Sequence, residues 1–142
     1  MEIFTAAFDE LDARTLYAIL RLRAEVFVVE QSSAYLDPDG RDLEPETRHC
    51  WIPAGDGIGA YLRLVAEPGG ERRIGRVATA RPRRSHGYAN ELVRHALNLA
   101  GGAVVLDAQT HLVGWYETLG FTVDGPDFIL DGIPHTPMRR DG

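Results

Sequence analysis

Residues 74–100 read IGRVATARPRRSHGYANELVRHALNLA, a stretch that predicts a strand, a short turn and a helix. Apolar residues fall on one face of that helix, and Gly101-Gly102 ends it. A turn that opens a helix directs several unpaired backbone N–H groups, and the positive end of the helix dipole, at one point. Such a point binds phosphate, and the six arginines from Arg72 to Arg84 add charge of the right sign. The stretch therefore predicts an anionic, phosphate-bearing ligand near residue 87.

The length and composition of the chain are those of one soluble globular domain spanning residues 1–142, with 44% hydrophobic and 25% charged residues. No apolar run approaches the roughly 20 residues of a membrane span, so we expect no membrane partner. The N-terminus lacks the basic and apolar segments of a secretion signal, and the single cysteine, Cys50, cannot form an internal disulfide. Both features predict a cytoplasmic protein.

The net charge of −6 disfavours nucleic-acid binding by the whole surface, and we expect no nucleic-acid partner. The charge is uneven, because residues 30–47 carry six acids against Arg41 alone whereas residues 72–84 are basic. The acidic loop either attracts a cationic acceptor to a cleft or is simply solvated. The alternative for the basic segment is DNA binding by that segment alone, which predicts steep salt dependence.

The order of elements predicts an α/β protein with a mixed sheet and helices on its faces. Hydrophobic periodicity and turn residues give a helix from about 12 to 30, a loop over 31–47, strands at 48–52, 58–66 and 73–79, a helix at 87–100, a strand at 103–106, a short helix at 111–119, and last strands at 121–123 and 134–139.

Two motifs resemble those of one enzyme family. Arg84-Ser85-His86-Gly87-Tyr88-Ala89 matches Arg/Gln-x-x-Gly-x-Gly/Ala, and Val104 to Phe121 matches an apolar strand followed by a short helix that ends in Tyr-x-x-x-Gly-Phe, with Tyr116 as the tyrosine. These are motifs of the GNAT (GCN5-related) N-acetyltransferases, which the chain resembles over nearly its whole length. The chain is similar to the ElaA-like branch in these segments: Arg23–Gln31, Tyr35, Asp37, Asp39–Gly40, Asp42, His49, Gly75–Val77, Ala108–Gln109, His111–Leu112 and Asp131–His135.

The resemblance implies the GNAT fold, a mostly antiparallel sheet of about six to seven strands, with acetyl-coenzyme A as cosubstrate. The residues that it implies for the diphosphate are Arg84, Ser85, His86, Gly87, Tyr88 and Ala89. The main chain of Val77, Ala78 and Thr79 is implied to pair with the pantetheine arm, an N–H of Val77 or Ala78 facing the thioester oxygen. Gln109 stands where many members have an asparagine that contacts this arm. The alternatives are a fully paired central strand and an ordinary helix entry preceded by surface arginines.

Tyr116 is the general acid that the resemblance implies. A tyrosine pKa near 10 exceeds a thiol pKa of about 8.5, so the phenol is protonated at neutral pH and can donate to a leaving sulfur. The alternative is a tyrosine packed in the core. A base is also needed, because an alkyl ammonium is neutral in roughly one molecule of a few thousand at pH 7. Glu30 is the first candidate, followed by Glu25 and His49.

The five histidines show no pairing at metal-ligand spacing, so we predict no metal. His111 and His135 are interpreted as structural. Cys50 has no identifiable partner base, which predicts direct attack by the acceptor rather than a covalent acetyl-enzyme. The predicted function is acetyl transfer to a primary amine of a small molecule or peptide, and family members often form homodimers. The alternative is a GNAT-fold module that binds acyl-coenzyme A without turnover.

Overall fold

The computed structural model describes all 142 residues. In chain order the elements are β1 (Phe4–Ala6), α1 (Ala13–Arg23), β2 (Arg48–Ala54), β3 (Gly57–Ala66), β4 (Arg72–Thr79), α2 (Tyr88–Ala100), β5 (Val104–Gln109), α3 (Val113–Glu117), β6 (Thr122–Val123), β7 (Phe128–Leu130) and β8 (Ile133–Arg140). Asp12 caps α1 by accepting a hydrogen bond from the Thr15 amide at 2.7 Å. α1 continues in π-helical turns over Ala24–Glu30, so the predicted end near Glu30 is confirmed.

The eight strands form one sheet in the order β1-β2-β3-β4-β5-β8-β6, with β7 also paired to β8. Only the β4–β5 pair is parallel. The predicted α/β class and mostly antiparallel sheet are confirmed. The sheet also contains two strands that were not predicted, β1 and β7. β1 and β7 have three residues each, which is too short for an alternating pattern to be detected.

Helices cover both faces of the sheet. α2 packs Leu92 and Val93 on one face, against alternate β3 residues such as Leu62. α1 packs Ile19 on the other face, together with Tyr61 of β3. Successive side chains of a strand point to opposite faces of the sheet, so the buried residues of β3 contribute to two apolar clusters, one on each face. None of the helices has the length and apolar character needed to cross a membrane.

A wedge opens in the middle of the sheet between β4 and β5. These strands pair only at Arg72 and Arg73, although β4 continues to Thr79 and β5 to Gln109. The register of β3 against β4 shifts just before Ala78, and Arg76 has a φ of +53° there. Such an irregularity bends a strand away from its neighbour, so β4 leaves β5 and exposes its edge.

The loop at 31–47 is anchored from below by Arg23, which is fully buried. Arg23 Nε donates to Asp37 Oδ2 at 2.8 Å, and its Nη1 donates to Asp42 Oδ1 at 2.7 Å. Burial acts to lower the pKa of Arg23, but the hydrogen bond to Asp42 and the nearby carboxylates raise it overall. The guanidinium therefore stays charged and ties the end of α1 to two points of the loop.

Two further arginines from the sheet join this buried network. Arg63 donates to Asp39 at 2.6 and 2.8 Å and to Asp42 at 3.1 Å, and Arg76 Nε lies 2.9 Å from Asp37 Oδ1. The aspartates predicted to attract an amine, or else to be solvated, are thus paired inside the protein. Both interpretations of these three side chains were wrong, because the acids of the loop and the arginines of helix and sheet neutralise one another.

Candidate functional site

A cavity of about 770 Å³ occupies the wedge between β4 and β5. Its wall is made by the end of α1, the edge of β4, the turn before α2, the end of β5, α3 and the β7–β8 hairpin. The predicted site residues that line it are Glu30, Val77, Thr79, Arg84, Ser85, Ala89, Gln109 and Tyr116. Those that do not line it are His49, Ala78, His86, Gly87 and Tyr88.

The turn before α2 presents a run of free backbone donors, here called the amide run, residues 85–90. None of these six N–H groups has an acceptor in the protein, and the first helical bond runs from Glu91 N to Gly87 O at 3.1 Å. Ser85 and Gly87 have φ values of +66° and +80°, which turn successive amides towards one concave side. No protein atom lies within 4 Å of a Cβ built on Gly87. The run forms a cradle that matches the donors an anion requires.

Arg84 stands at the start of this run and is held on two sides. Its Nε donates to Thr79 O at 3.0 Å, and its Nη2 lies 2.8 and 2.9 Å from the two carboxylate oxygens of Glu30. Arg81 approaches the same carboxylate at 3.4 Å. Glu30 therefore lines the cavity with both oxygens already engaged by a guanidinium. A role as general base, predicted for Glu30, requires that pair to break.

The edge of β4 offers further donors to the wedge. The Ala80 amide donates to β3 at 2.8 Å, and Ala78 is paired with β3 two residues earlier. Because backbone groups alternate in direction along an antiparallel ladder, the N–H groups of Val77 and Thr79 point away from β3 and into the wedge. Ala78 faces β3 with its backbone and is buried, so its predicted contact with a ligand in the wedge is not supported.

Tyr116 belongs to the core and to the cavity at once. Its ring is 5% exposed and packs edge-on against Trp115 and Phe121, with ring centroids 4.7 and 5.8 Å away. Its side chain lines the cavity, and its hydroxyl makes no hydrogen bond within the protein. Burial raises the pKa of Tyr116 above its ordinary value near 10, so the hydroxyl keeps its proton at neutral pH.

His49 and Glu25, the other candidate bases, lie outside the cavity. His49 is buried, with Nδ1 2.7 Å from Tyr61 Oη and Nε2 donating to Asp42 O at 3.1 Å. Burial lowers the pKa of His49, and both ring nitrogens have partners, so the prediction of a catalytic base was wrong for this residue. Glu25 pairs with Arg21 at 2.9 Å on the solvent side, as the spacing of four also allowed.

Apart from Gln109, the far end of the cavity was not predicted from the sequence. There the Ser33 hydroxyl donates to Asp131 O at 3.0 Å, and Gln109 Nε2 donates to Gln31 Oε1 at 3.2 Å. His135 lines this end, contrary to its interpretation as a structural residue. The predicted strand at 134–139 already contains His135, and the missed signal was the Asp-Gly pair at 131–132, which is typical of a tight hairpin and would have added β7 beside that strand.

Most arginines of the basic segment are paired within the protein. Arg73 Nε donates to Glu67 at 2.6 Å and its Nη1 to Asp107 at 3.0 Å, while Arg76 and Arg84 hold carboxylates as described above. The donors that remain without a partner at this end of the cavity are therefore mainly backbone N–H groups. The structure gathers no group of three or more His, Cys, Asp or Glu side chains that could hold a metal ion.

Comparison with known proteins finds relatives over almost the whole chain. A model of the acetyltransferase (GNAT) domain matches residues 23–141. A UPF0039 protein of Mycobacterium tuberculosis (strain ATCC 25618 / H37Rv) is 49% identical over 138 residues, which cover 94% of this chain and 88% of that protein. Two crystal structures superpose with TM-scores of 0.92 and 99% coverage of both chains. They are an acyl-CoA N-acyltransferase from Pseudomonas aeruginosa at 36% identity and Escherichia coli ElaA at 33%.

Proposed function

The chain belongs to the GNAT acetyltransferase family, in its ElaA-like branch, and from that premise we propose that it is an acetyl-coenzyme A-dependent N-acetyltransferase. The acceptor in this proposal is a primary amine of a small molecule or peptide, which attacks directly while both substrates are bound. The observation that carries the proposal is the amide run, whose Ser85 and Ala89 line the cavity that also contains the unpartnered hydroxyl of Tyr116.

The residues present fit coenzyme A. The amide run binds the diphosphate, with open space at Gly87 for close approach of phosphate to the backbone. The N–H groups of Val77 and Thr79 orient the extended pantetheine arm in the manner of an added strand. Gln109, already held by Gln31, borders the same channel. When bound, acetyl-coenzyme A supplies an acyl thioester.

Tyr116 holds a proton at Oη where the leaving sulfur would lie. A thiol has a lower pKa than tyrosine, and burial raises the pKa of Tyr116 further, so complete proton transfer to the sulfur is uphill. The hydroxyl therefore acts mainly as a hydrogen-bond donor that stabilises negative charge on sulfur, and water completes the protonation. A donor dedicated to developing charge typically contributes 10²–10³-fold to the rate.

Direct attack is supported by the position of Cys50, the one thiol in the chain. Cys50 is fully buried in the core and does not line the cavity. Burial raises the pKa of the Cys50 thiol to about 11, so it is not a thiolate at neutral pH.

The test is release of free thiol from acetyl-coenzyme A in the presence of a polyamine, an amino sugar or a lysine-containing peptide. Tyr116→Phe removes the hydroxyl and keeps the ring, so we expect kcat to fall about 10²-fold while the calorimetric Kd for acetyl-coenzyme A is unchanged. Tyr17→Phe, at a tyrosine that is 71% exposed, is the matched control and keeps full activity. Binding without thiol release across the panel would instead identify a non-catalytic acyl-coenzyme A-binding module.

A further inference from the structure

We propose that His135 is the general base, taking a proton from the acceptor ammonium at its Nε2 atom. This inference rests on the proposed function, because it concerns the amine that the acetyl group would reach. An alkyl ammonium with a pKa of about 10.4 cannot act as a nucleophile until it loses a proton.

His135 stands on β8 directly opposite Gln109 of β5. Paired residues of neighbouring strands project to the same face of a sheet, so the two side chains lie side by side, and both line the cavity. The imidazole is half-buried and stacks on Phe128, with ring centroids 5.8 Å apart and planes 23° from parallel. The ring therefore has a fixed orientation at the end of the cavity.

The hydrogen bond of His135 sets its tautomer. Nδ1 lies 2.8 Å from the carbonyl oxygen of Ile133, which can only accept, so Nδ1 carries the hydrogen. In the neutral ring Nε2 then carries the lone pair, and it has no partner within the protein. His49 differs, because both of its ring nitrogens are bonded inside the core. His135 is thus a cavity-lining imidazole with a free acceptor nitrogen.

The carboxylates around the cavity are less available. Glu30 is paired with Arg84, and Asp107 is paired with Arg73 at 3.0 Å. Asp131, in the exposed hairpin turn, has no ion-pair partner and leaves this end of the cavity with an uncompensated negative charge. The other titratable groups on the wall are His111, the hydroxyls of Tyr35 and Tyr116, and three further arginines. Arg41, Arg63 and Arg76 are each held by carboxylates of the loop or of β3–β4. A cationic amine is favoured beside His135.

The proton passes from the acceptor ammonium to Nε2 of His135. One N–H bond of the acceptor ammonium breaks and an N–H bond forms at Nε2. The positive charge passes from the ammonium to the imidazolium, which the Ile133 carbonyl continues to stabilise through Nδ1–H. The neutral amine is then free to attack, and the imidazolium returns its proton to solvent.

The experiment compares wild type with His135→Asn, in which the side-chain amide can still donate to Ile133 O but no lone pair stands at the Nε2 position. We measure kcat/KM for thiol release with spermidine, or with the best amine of the panel, from pH 6.5 to 10. The expected result is a loss of about 10²-fold at pH 7 that shrinks as the pH approaches the pKa of the amine, since more acceptor is then already neutral. Calorimetric affinity for acetyl-coenzyme A and the unfolding midpoint should match wild type. His95→Asn, at a histidine of α2 that contacts Thr5 and does not line the cavity, is the control and keeps its rate.

The outcomes separate the two proposals. A wild-type protein that releases no thiol with any amine contradicts the proposed function and this inference with it. Active wild type with an equally active His135→Asn contradicts the inference alone, as does a loss of rate that is the same at every pH.

Discussion

The loop at 31–47 and the amide run at 85–90 use polar groups in opposite ways. The loop places three aspartates beside three arginines, and each of these side chains forms ion pairs with the others. The amide run leaves six backbone donors without any partner. The formal charges in these segments mostly hold the chain together, whereas the uncharged backbone of the turn remains available for a ligand.

The two regions also meet through a few residues. Arg76 lies in the irregularity at which β4 leaves β5, and it also pairs with Asp37 of the loop. Glu30 ends the helix that leads into the loop and holds Arg84 at the start of the amide run. The buried network thereby fixes the wedge in which the cradle lies, so the comparison can be tested by damaging each region separately.

The largest effect should come from breaking the network at its buried centre. Arg23→Met leaves Asp37 and Asp42 without their main partner in a buried setting, which costs about 3–5 kcal/mol of the free energy of unfolding. Arg21→Met, which breaks an exposed pair two residues earlier, should leave the free energy of unfolding nearly unchanged. Urea denaturation of both variants measures the difference. Equal losses would show that the network does not stabilise the fold.

A smaller loss of stability should follow when the pH is lowered. The Arg63 hydrogen bond lowers the pKa of Asp39, and although burial opposes it, pairing with Arg23 and Arg63 lowers the pKa of Asp42. Because the pKa values of these carboxyls are lower in the folded state than the unfolded value near 3.9, their stabilisation is complete only above about pH 5. This stabilisation is lost as the pH falls through the pKa values that the two carboxyls have in the folded state. Urea midpoints from pH 5 to pH 2.5 should drop, and less so in Arg23→Met, in which the network is already broken. A flat wild-type profile would contradict this.

The amide run is tested by a pair of glycines at the two ends of α2. Gly87 and Gly101 have φ values of +80° and +69°, and a Cβ built on either meets no atom within 4 Å. Alanine at either position should therefore cost a similar strain of about 1–2 kcal/mol. Only Gly87→Ala should also weaken acetyl-coenzyme A, by about tenfold or 1.4 kcal/mol, because its methyl group restricts approach to the cradle. Calorimetry distinguishes the two variants, and equal Kd values would place the phosphate elsewhere.

The smallest effect is expected where the two regions touch. Glu30→Gln removes the negative charge beside Arg84 and preserves the shape of the side chain. The affinity for acetyl-coenzyme A should rise by less than about tenfold, because a partly exposed ion pair contributes no more than about 1 kcal/mol. The gain should disappear in high salt. Glu25→Gln, on the solvent side of the same helix, should leave the Kd unchanged, and a gain of equal size there would assign the effect to net charge alone.

Much of the fold follows from local patterns in the sequence. The helix over residues 88–100 and the buried strands have strong periodicity and turn residues at their ends, so their positions agree with the prediction. β1 and β7 are too short to show a period, and their pairing with β2 and β8 depends on contacts distant in sequence.

The candidate site also contains residues that local motifs predict and residues whose contacts are distant in sequence. Tyr116 and the turn at 84–89 lie in compact motifs, whereas Arg23, Asp37 and Arg76 pair across separations that no spacing rule detects. Asp37, Asp42, His49 and Arg76 are among the residues through which the sequence resembles the ElaA-like branch. Their positions in the structure give them a structural role in holding the loop and the wedge. The role proposed for His135 could not be predicted from the sequence, because it depends on a tautomer that is set by the contact of Nδ1 with the Ile133 carbonyl.

The most direct test of coenzyme A binding at the amide run is an amide NMR titration of the ¹⁵N-labelled protein with coenzyme A. We expect the largest shifts to fall on the backbone N–H groups of residues 85–90, with smaller shifts at Val77 and Thr79. No shift in the 85–90 amides at millimolar coenzyme A, or shifts confined to the loop at 31–47, would contradict it.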